Sequence, residues 1–395
     1  MQYVLSGTCS DGSFKIYSDK KFVLQLDGIT LNNPSGPAIN IQNGKTIEED
    51  GGYPHKAIYV LVSDGTTNTL TDGSSYSQSV TIDGIDEDQK ACFFSEGQLI
   101  FSGAGTLNVT GNNRHAVRSD DYIRLRNSVK MNITANGEDG INGKDYLIVD
   151  GGTHTINVSA SKGKGLKSDT ILIAGGSTNI TCTGSSAEGI EADYLTIDDG
   201  VIECFAKDDG INAAYSIVIN GGVVVAVGAQ TPEDGIDCDQ NNFTITGGII
   251  LGIGGGSSVP SSTSKQPSLL YGASCSANKR ISLLDGDGNI VLSYVPEVAL
   301  NQMTLLLSSP TLAIGTTYTL VSGGIYTAST ASDAVLFHNL TNAGMLSSPT
   351  TLTTATLSSV VITVGNVSND GGGGHPGGGG NPGGNPGGGG RPGGW

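Results

Sequence analysis

Through the middle of the chain, apolar and polar residues take turns with a period of two. The runs read Leu107-Asn108-Val109-Thr110, Met131-Asn132-Ile133-Thr134, Ile156-Asn157-Val158-Ser159 and Thr178-Asn179-Ile180-Thr181. That period sends apolar side chains to one face of a strand and Asn and Thr to the other. Between the runs a short phrase recurs: Asp139-Gly140-Ile141-Asn142, Lys164-Gly165-Leu166-Lys167, Glu188-Gly189-Ile190-Glu191, Asp209-Gly210-Ile211-Asn212 and Asp234-Gly235-Ile236-Asp237. Its glycines lie 25, 24, 21 and 25 residues apart. Each phrase is followed by a β-rich run that ends in a Gly pair or its equivalent, such as Gly151-Gly152 or Asp199-Gly200. A period of this length marks a repeat array. No repeat contains the Ala, Leu, Glu and Lys stretch that leucine-rich, ankyrin or tetratricopeptide helices require. The pattern predicts an all-β fold, a parallel β-helix with roughly 22–25 residues per coil. Three faces and a right-handed sense are expected, from the chirality of parallel crossovers.

The pattern divides the chain. Residues 1–254 read as the β-helix, with irregular coils over 1–90 and regular coils over 91–254. Loops are inserted at 43–56 and 72–90 of the irregular part. Residues 255–367 show strands and hairpin turns, such as Asp285-Gly286-Asp287-Gly288-Asn289. They read as a C-terminal β-rich cap or small domain, because an open coil end exposes a strand edge. Residues 368–395, almost wholly Gly, Pro and Asn, are predicted to be disordered or extended.

Only 14% of residues are charged, Gly numbers 61 of 395, and the formal net charge is −17. No basic face is available to neutralise phosphates, which excludes nucleic acid as a partner. No apolar run reaches the length of a transmembrane helix. The first residues lack a basic region followed by an apolar one, and the composition is that of a secreted β protein. An extracellular or cell-surface location, with a signal segment removed, is expected. Six cysteines include no CxxC pair, which argues against a zinc ribbon. Cys182 and Cys204 read as buried small side chains rather than disulfide partners.

Aligned coils produce columns. One holds His115, Asp139, Lys164, Glu188, Asp209 and Asp234; a second holds Arg118, Asn142, Lys167, Glu191, Asn212 and Asp237. Coils stack about 4.8 Å apart, so Lys164 is expected to pair with Asp139 and Glu188. Beyond it no lysine intervenes. Glu188, Glu191, Asp209, Asn212, Asp234 and Asp237 crowd one edge, with Asp193 and Asp239 on the adjacent turn. Like charges at that spacing resist ionisation unless a cation sits among them. Oxygen ligands alone suit Ca²⁺. A further column, Tyr122, Tyr146, Thr170 and Tyr194, is a candidate aromatic strip for sugar rings, with Asn108, Asn132, Asn157 and Asn179 as an amide ladder beside it. Both columns also suit plain stacking within the fold. Catalysis has less support. Arg114, Arg118, Arg124 and Arg126 cluster near one coil, and Asp120/Asp121 and Asp208/Asp209 are paired acids, but no GxSxG, P-loop or HExxH motif is present. No residue is assigned a catalytic role.

The repeated Asp-Gly-Ile phrases, the Leu-Asn-Val-Thr strands and the earlier Asn68-Thr69-Leu70-Thr71-Asp72-Gly73 segment resemble the bacterial calcium-binding β-helix proteins described as carbohydrate-binding domain-containing. The resemblance spans roughly residues 20–255. It implies a pectate-lyase-like parallel β-helix with Ca²⁺ held between coils, and binding to cellulose or acidic pectic chains without cleavage. At matching positions the calcium ligands are Asp139, Glu188, Glu191, Asp209, Asp234 and Asp237. The lysines of the Lys164/Lys167 coil depart from that acidic pattern. The expected function is an extracellular, calcium-stabilised polysaccharide-binding protein. Two alternatives stand beside it: a structural or adhesive fibre-forming protein that self-associates through helix ends or tail, and a polysaccharide lyase.

Overall fold

The structure, a computed structural model, describes residues 1–43, 56–77, 81–82, 85–328 and 339–368. The inserted loop at 43–56 lies, but for its two end residues, outside this range, as does the glycine-rich tail from 369 onward. Strands and turns make up the described chain. No helix is long and apolar enough to cross a membrane.

Parallel pairing repeats coil after coil. One inward column runs Tyr3, Leu24, Val60, Phe101, Leu125, Val149, Ile173, Ile197, Ile219 and Ile245, one residue for each of ten coils. A second ladder stacks Leu31, Leu70, Val109, Ile133, Ile156, Ile180, Cys204 and Ala226. The third stacks Ile39, Phe93, Val117, Ile141, Leu166, Ile190, Ile211 and Ile236. Three ladders wrap one apolar interior, so the fold is the all-β parallel β-helix that the period predicts. Each fully buried aliphatic side chain in these columns contributes about 1.5–3 kcal/mol of transfer free energy. Cys182 and Cys204 face this interior as unpaired thiols.

The phrase glycine is a packing requirement. A Cβ on Gly189 would lie 2.3 Å from the Gly210 carbonyl oxygen and 2.8 Å from Cys204 Cβ. Gly140, Gly165 and Gly210 press in the same way against the carbonyl of the next phrase glycine. The turn glycines meet a different demand. Gly200 takes φ +107°, a conformation that side chains with a Cβ rarely adopt.

One inward column is not wholly apolar: Leu107, Met131, His154, Thr178, Ile202. His154 is buried, and its Nε2 donates to the Gly151 carbonyl at 2.9 Å. Its Nδ1 and Thr178 Oγ1 have no hydrogen-bond partner among the described residues. Burial holds the imidazole below its ordinary pKa.

After strand Ile249–Gly254 the pairing turns antiparallel. Strand Leu300–Ser308 pairs with it and with Ser268–Cys275, whose far side takes Val361–Gly365. The last coil edge is thereby covered. A second core forms where the outward residues Val225, Val227, Leu251 and Ile253 meet Leu269, Leu305 and Leu307. A five-stranded sheet packs beyond it: Ile281–Leu284, Ile290–Tyr294, Thr317–Ser322, Leu340–Thr341 and Thr350–Thr356.

Two outcomes follow from this packing. Gly189→Ala is expected to lower stability by about 1–3 kcal/mol in urea denaturation, because a methyl group is forced against backbone. Gly286→Ala, at a hairpin tip with nothing within 4 Å of the added carbon, should change it by less than about 0.5 kcal/mol. Equal effects would remove the packing argument. The second outcome concerns pH. With the His154 pKa depressed in the fold, the unfolded chain takes up the proton first as pH falls below about 6.5. Stability present above that pH should be lost on acidification towards the folded pKa. Denaturation midpoints between pH 7.5 and 5.5, compared with His154→Leu, read this directly: the variant should show a shallower fall.

Candidate cation and glycan sites

The phrases stack in register. Arg118, Asn142, Lys167, Glu191, Asn212 and Asp237 pair rung to rung as one outward column. In the companion column two acids, Asp139 and Asp209, hold the next coil. Asp139 Oδ1 accepts the Lys164 N–H at 2.9 Å, and Asp209 Oδ1 accepts the Asp234 N–H at 2.6 Å. A carboxylate beside a phrase glycine thus serves as a backbone acceptor across the coil step.

The two columns divide into a half with cations and a half without. In the first, Lys164 bonds Glu188 and lies 3.0 Å from Glu191, while Lys167 reaches Glu191 at 2.7 Å. Burial works against the Lys164 ammonium, but Glu188 and Glu191 outweigh it and hold its pKa above the ordinary value. Burial likewise works against Glu191, whose carboxyl the two lysines hold below its ordinary value. Asp139 differs from the expectation: it does not receive the Lys164 side chain. It accepts from Asn142 Nδ2 at 2.6 Å and faces His115 Nδ1 at 3.1 Å. Burial would raise its pKa, yet His115 and Asn142, with Lys167 nearby, bring it down to about 2. Lys164 extends the other way, toward the next coil, where two carboxylates attract it more strongly than one. Asp139 and Glu191, both predicted metal ligands, are therefore already supplied with protein donors.

Glu188 joins the halves. Its Oε1 accepts from Lys164, while its buried Oε2 has no donor among the described residues. Burial, with Glu191 and Asp208 nearby, pushes this carboxyl up to about 7. Beyond it the acids meet one another. Asp208, Asp209 and Glu233 bring one carboxylate oxygen each within 4.8 Å of the others. Burial, then the charges of Glu188, Asp237 and Asp234, push Asp209 up to about 9 against the Asp234 N–H. Burial and the adjacent Asp208 push Glu233 up to about 8. Buried Asp208 Oδ1 and Asn212 Oδ1 lack donors among the described residues. Asp234, next to Glu233 in the chain, is buried, and Asp237 Oδ1 accepts from Ser258 Oγ at 3.0 Å. Asp193, expected on a turn, lies within strand Glu188–Ile197, while Asp239 sits on the turn after Ile236–Cys238. Burial and Glu191 raise the Asp193 carboxyl, and the Asp239 N–H donates to the Ala213 carbonyl at 3.1 Å.

This donor set fits a hard cation. Carboxylate and amide oxygens from two successive phrases are the ligand type that Ca²⁺ takes, about six to eight at a time. Asp208 and Glu233 lie outside the predicted ligand set. The signal for them was a doubled acid at the start of two phrases, Asp208-Asp209 and Glu233-Asp234.

The tyrosine column is real: Tyr122, Tyr146, Thr170 and Tyr194 pair in succession. Tyr146 and Tyr194 are about half exposed. Tyr215, absent from the predicted set, stacks on Tyr194 with ring centroids 5.2 Å apart and planes at 28°. A bulge places it there, since two residues, Ala214 and Tyr215, oppose Asp193 alone. The asparagine ladder needs correction. Asn132 Nδ2 donates to Asn108 Oδ1 at 2.9 Å, but the next rungs are Thr155 and Asn179. Asn157 belongs to the neighbouring column, between Thr134 and Thr181. Arg124, of the arginine cluster, is held by Asp150 at 2.6 Å.

Among known proteins, residues 1–250 match the model of the family described as carbohydrate-binding domain-containing protein. Among solved structures, the chain is similar to the polysaccharide lyase-like protein from C. thermocellum, solved as a gadolinium derivative. The identity is 20%, the match covers 66% of this chain and 81% of that chain, and the TM-score is 0.39. No curated protein matches.

Proposed function

We infer polysaccharide binding from one premise: the chain belongs to the carbohydrate-binding domain-containing protein family. The finer reading is an extracellular, calcium-stabilised module that binds cellulose or acidic pectic chains and does not cleave them. The observation that carries it is the exposed Tyr194–Tyr215 stack, in line with Tyr146 along the coil axis. Flat aromatic faces accept the C–H face of a sugar ring, and a column repeating at the coil step suits a polymer that repeats as well. Asn108 and Asn132, hydrogen-bonded to each other, add amide groups on another outward face.

Ca²⁺ belongs, in this reading, to the half of the columns without cations. Asp208, Asp209 and Glu233 would hold it, with Asn212 and Asp234 as neighbours in the same two phrases. Its chemistry there is charge neutralisation between successive coils, which lets carboxylates that burial disfavours stay ionised. Asp139, Glu188 and Glu191 stay with His115, Lys164 and Lys167.

Removing calcium with EDTA is expected to lower the melting temperature by several degrees, and Asp209→Asn should abolish that response. An unchanged melt would end the calcium reading. Retention on insoluble cellulose and immobilised polygalacturonate, with Ca²⁺ and with EDTA, tests the binding. Wild type should be retained. Tyr194→Ala and Tyr215→Ala should each weaken retention about tenfold, the scale expected when one aromatic side chain is removed from a binding face. Retention that neither variant changes removes the tyrosine strip. Release of unsaturated sugar from polygalacturonate would replace binding by lyase activity.

A further inference from the structure

A cleft of about 540 Å³ lies where the flank of the β-helix meets the C-terminal segment. Its floor is the outward face of three successive rungs. Asn179 and Thr181 come from one rung, Phe205 from the next, and Val227 and Ala229 from the third. Its wall is the segment 297–300. The wall is fixed by a two-way clamp. Gln230 Nε2 donates to the Gln302 carbonyl, and the Asn301 N–H donates to Gln230 Oε1, both at 2.8 Å. Antiparallel pairing of Ile249–Gly254 with Leu300–Ser308 anchors the same segment to the last coil. The cleft is therefore preformed, and its volume falls in the range of ligand sites, roughly 300–1,000 Å³.

The lining is graded. Amide and hydroxyl groups stand on one side, a half-buried aromatic ring lies at the centre, and aliphatic carbons on the far side. Asn179 is held in place because its Nδ2 donates to Glu203 Oε2 at 2.9 Å. A pyranose ring has the same grading, with an apolar face and a rim of hydroxyls. The charged residues of the lining cancel: Lys207 on the floor, Glu297 on the wall. Next to the lining, the buried Glu203 carboxylate accepts from Asn179 and lies within electrostatic reach of Glu297. A polyanion entering here would bring carboxylates toward acids, whereas an uncharged chain meets no such repulsion.

We propose that this cleft is a saccharide subsite for an uncharged glycan chain, separate from the tyrosine strip. The proposal rests on the polysaccharide-binding reading and narrows its ligand class. Phe205 is the stacking platform, and Asn179 and Thr181 contact the ring hydroxyls.

Titration calorimetry of the full chain with cellotetraose, mannotetraose and trigalacturonate tests it. Thr183, exposed at the cleft edge, offers a blocking substitution that does not touch the core. Wild type should bind at least one neutral tetrasaccharide more tightly than trigalacturonate. Thr183→Trp and Phe205→Ala should each weaken that binding about tenfold or more. The idea is overturned if neither neutral sugar binds, if Thr183→Trp binds as wild type does, or if trigalacturonate is the ligand that Thr183→Trp loses. Should wild type and both cleft variants be retained equally on insoluble polysaccharide while the soluble sugars fail to bind, the cleft falls and the family reading stands. If wild type is retained on no polysaccharide, both fall.

Discussion

Stacking at a step of about 4.8 Å governs this molecule. A parallel β-helix places each residue directly over its counterpart one coil away, so a column can hold only side chains that tolerate their own kind. Aliphatic residues do so readily, and Ile, Leu and Val fill the inward columns with almost no exposure. Backbone must tolerate the same proximity. The phrase glycines lie under one another's carbonyls with no room for a methyl group. That proximity sets how tightly the coil closes, and hence how the outward columns line up.

Charge is where like-over-like stacking becomes difficult. One coil relieves it by inserting Lys164 and Lys167, which take up Glu188 and Glu191. A coil earlier, Asn142 donates to Asp139, with His115 beside it. Toward the C-terminal end, Asp208, Asp209 and Glu233 converge with carboxylates as their near neighbours, and the carboxyl groups of Asp209 and Glu233 are driven toward the protonated form. The columns thus change from self-neutralised to acid facing acid within two coils. Glu188 sits at the change, with one oxygen on Lys164 and the other without a donor among the described residues.

Much of this is legible in the sequence because the repeat is local and regular. The phrase spacing identifies both charged columns and the tyrosine column residue for residue. The departures have specific causes. Asn157 falls two residues out of register because the inward residue of its strand's first rung is His154, a polar residue that hides an interior position. Tyr215 escapes the pattern because a bulge adds a residue that no fixed period anticipates. Asp208 and Glu233 precede the columns by one residue, where periodicity says nothing about direction. The covered flank does leave a trace in the sequence: Val223-Val224-Val225-Ala226-Val227 and Ile249-Ile250-Leu251-Gly252-Ile253 are apolar on both faces, as strands buried on both sides must be.

By itself the sequence determined the coil, its period, the inward columns and the order in which charges follow one another. A one-dimensional repeat needs no more than nearest-neighbour rules to specify these. Tertiary structure alone decided which carboxylate meets a lysine and which meets another acid, because side chains of adjacent coils can lean either way along the axis. It also decided where the C-terminal segment docks. That docking depends on antiparallel pairing of Leu300–Ser308 with Ile249–Gly254, two strands far apart in the chain whose meeting no repeat encodes. The cleft on the flank exists only because those two distant strands meet.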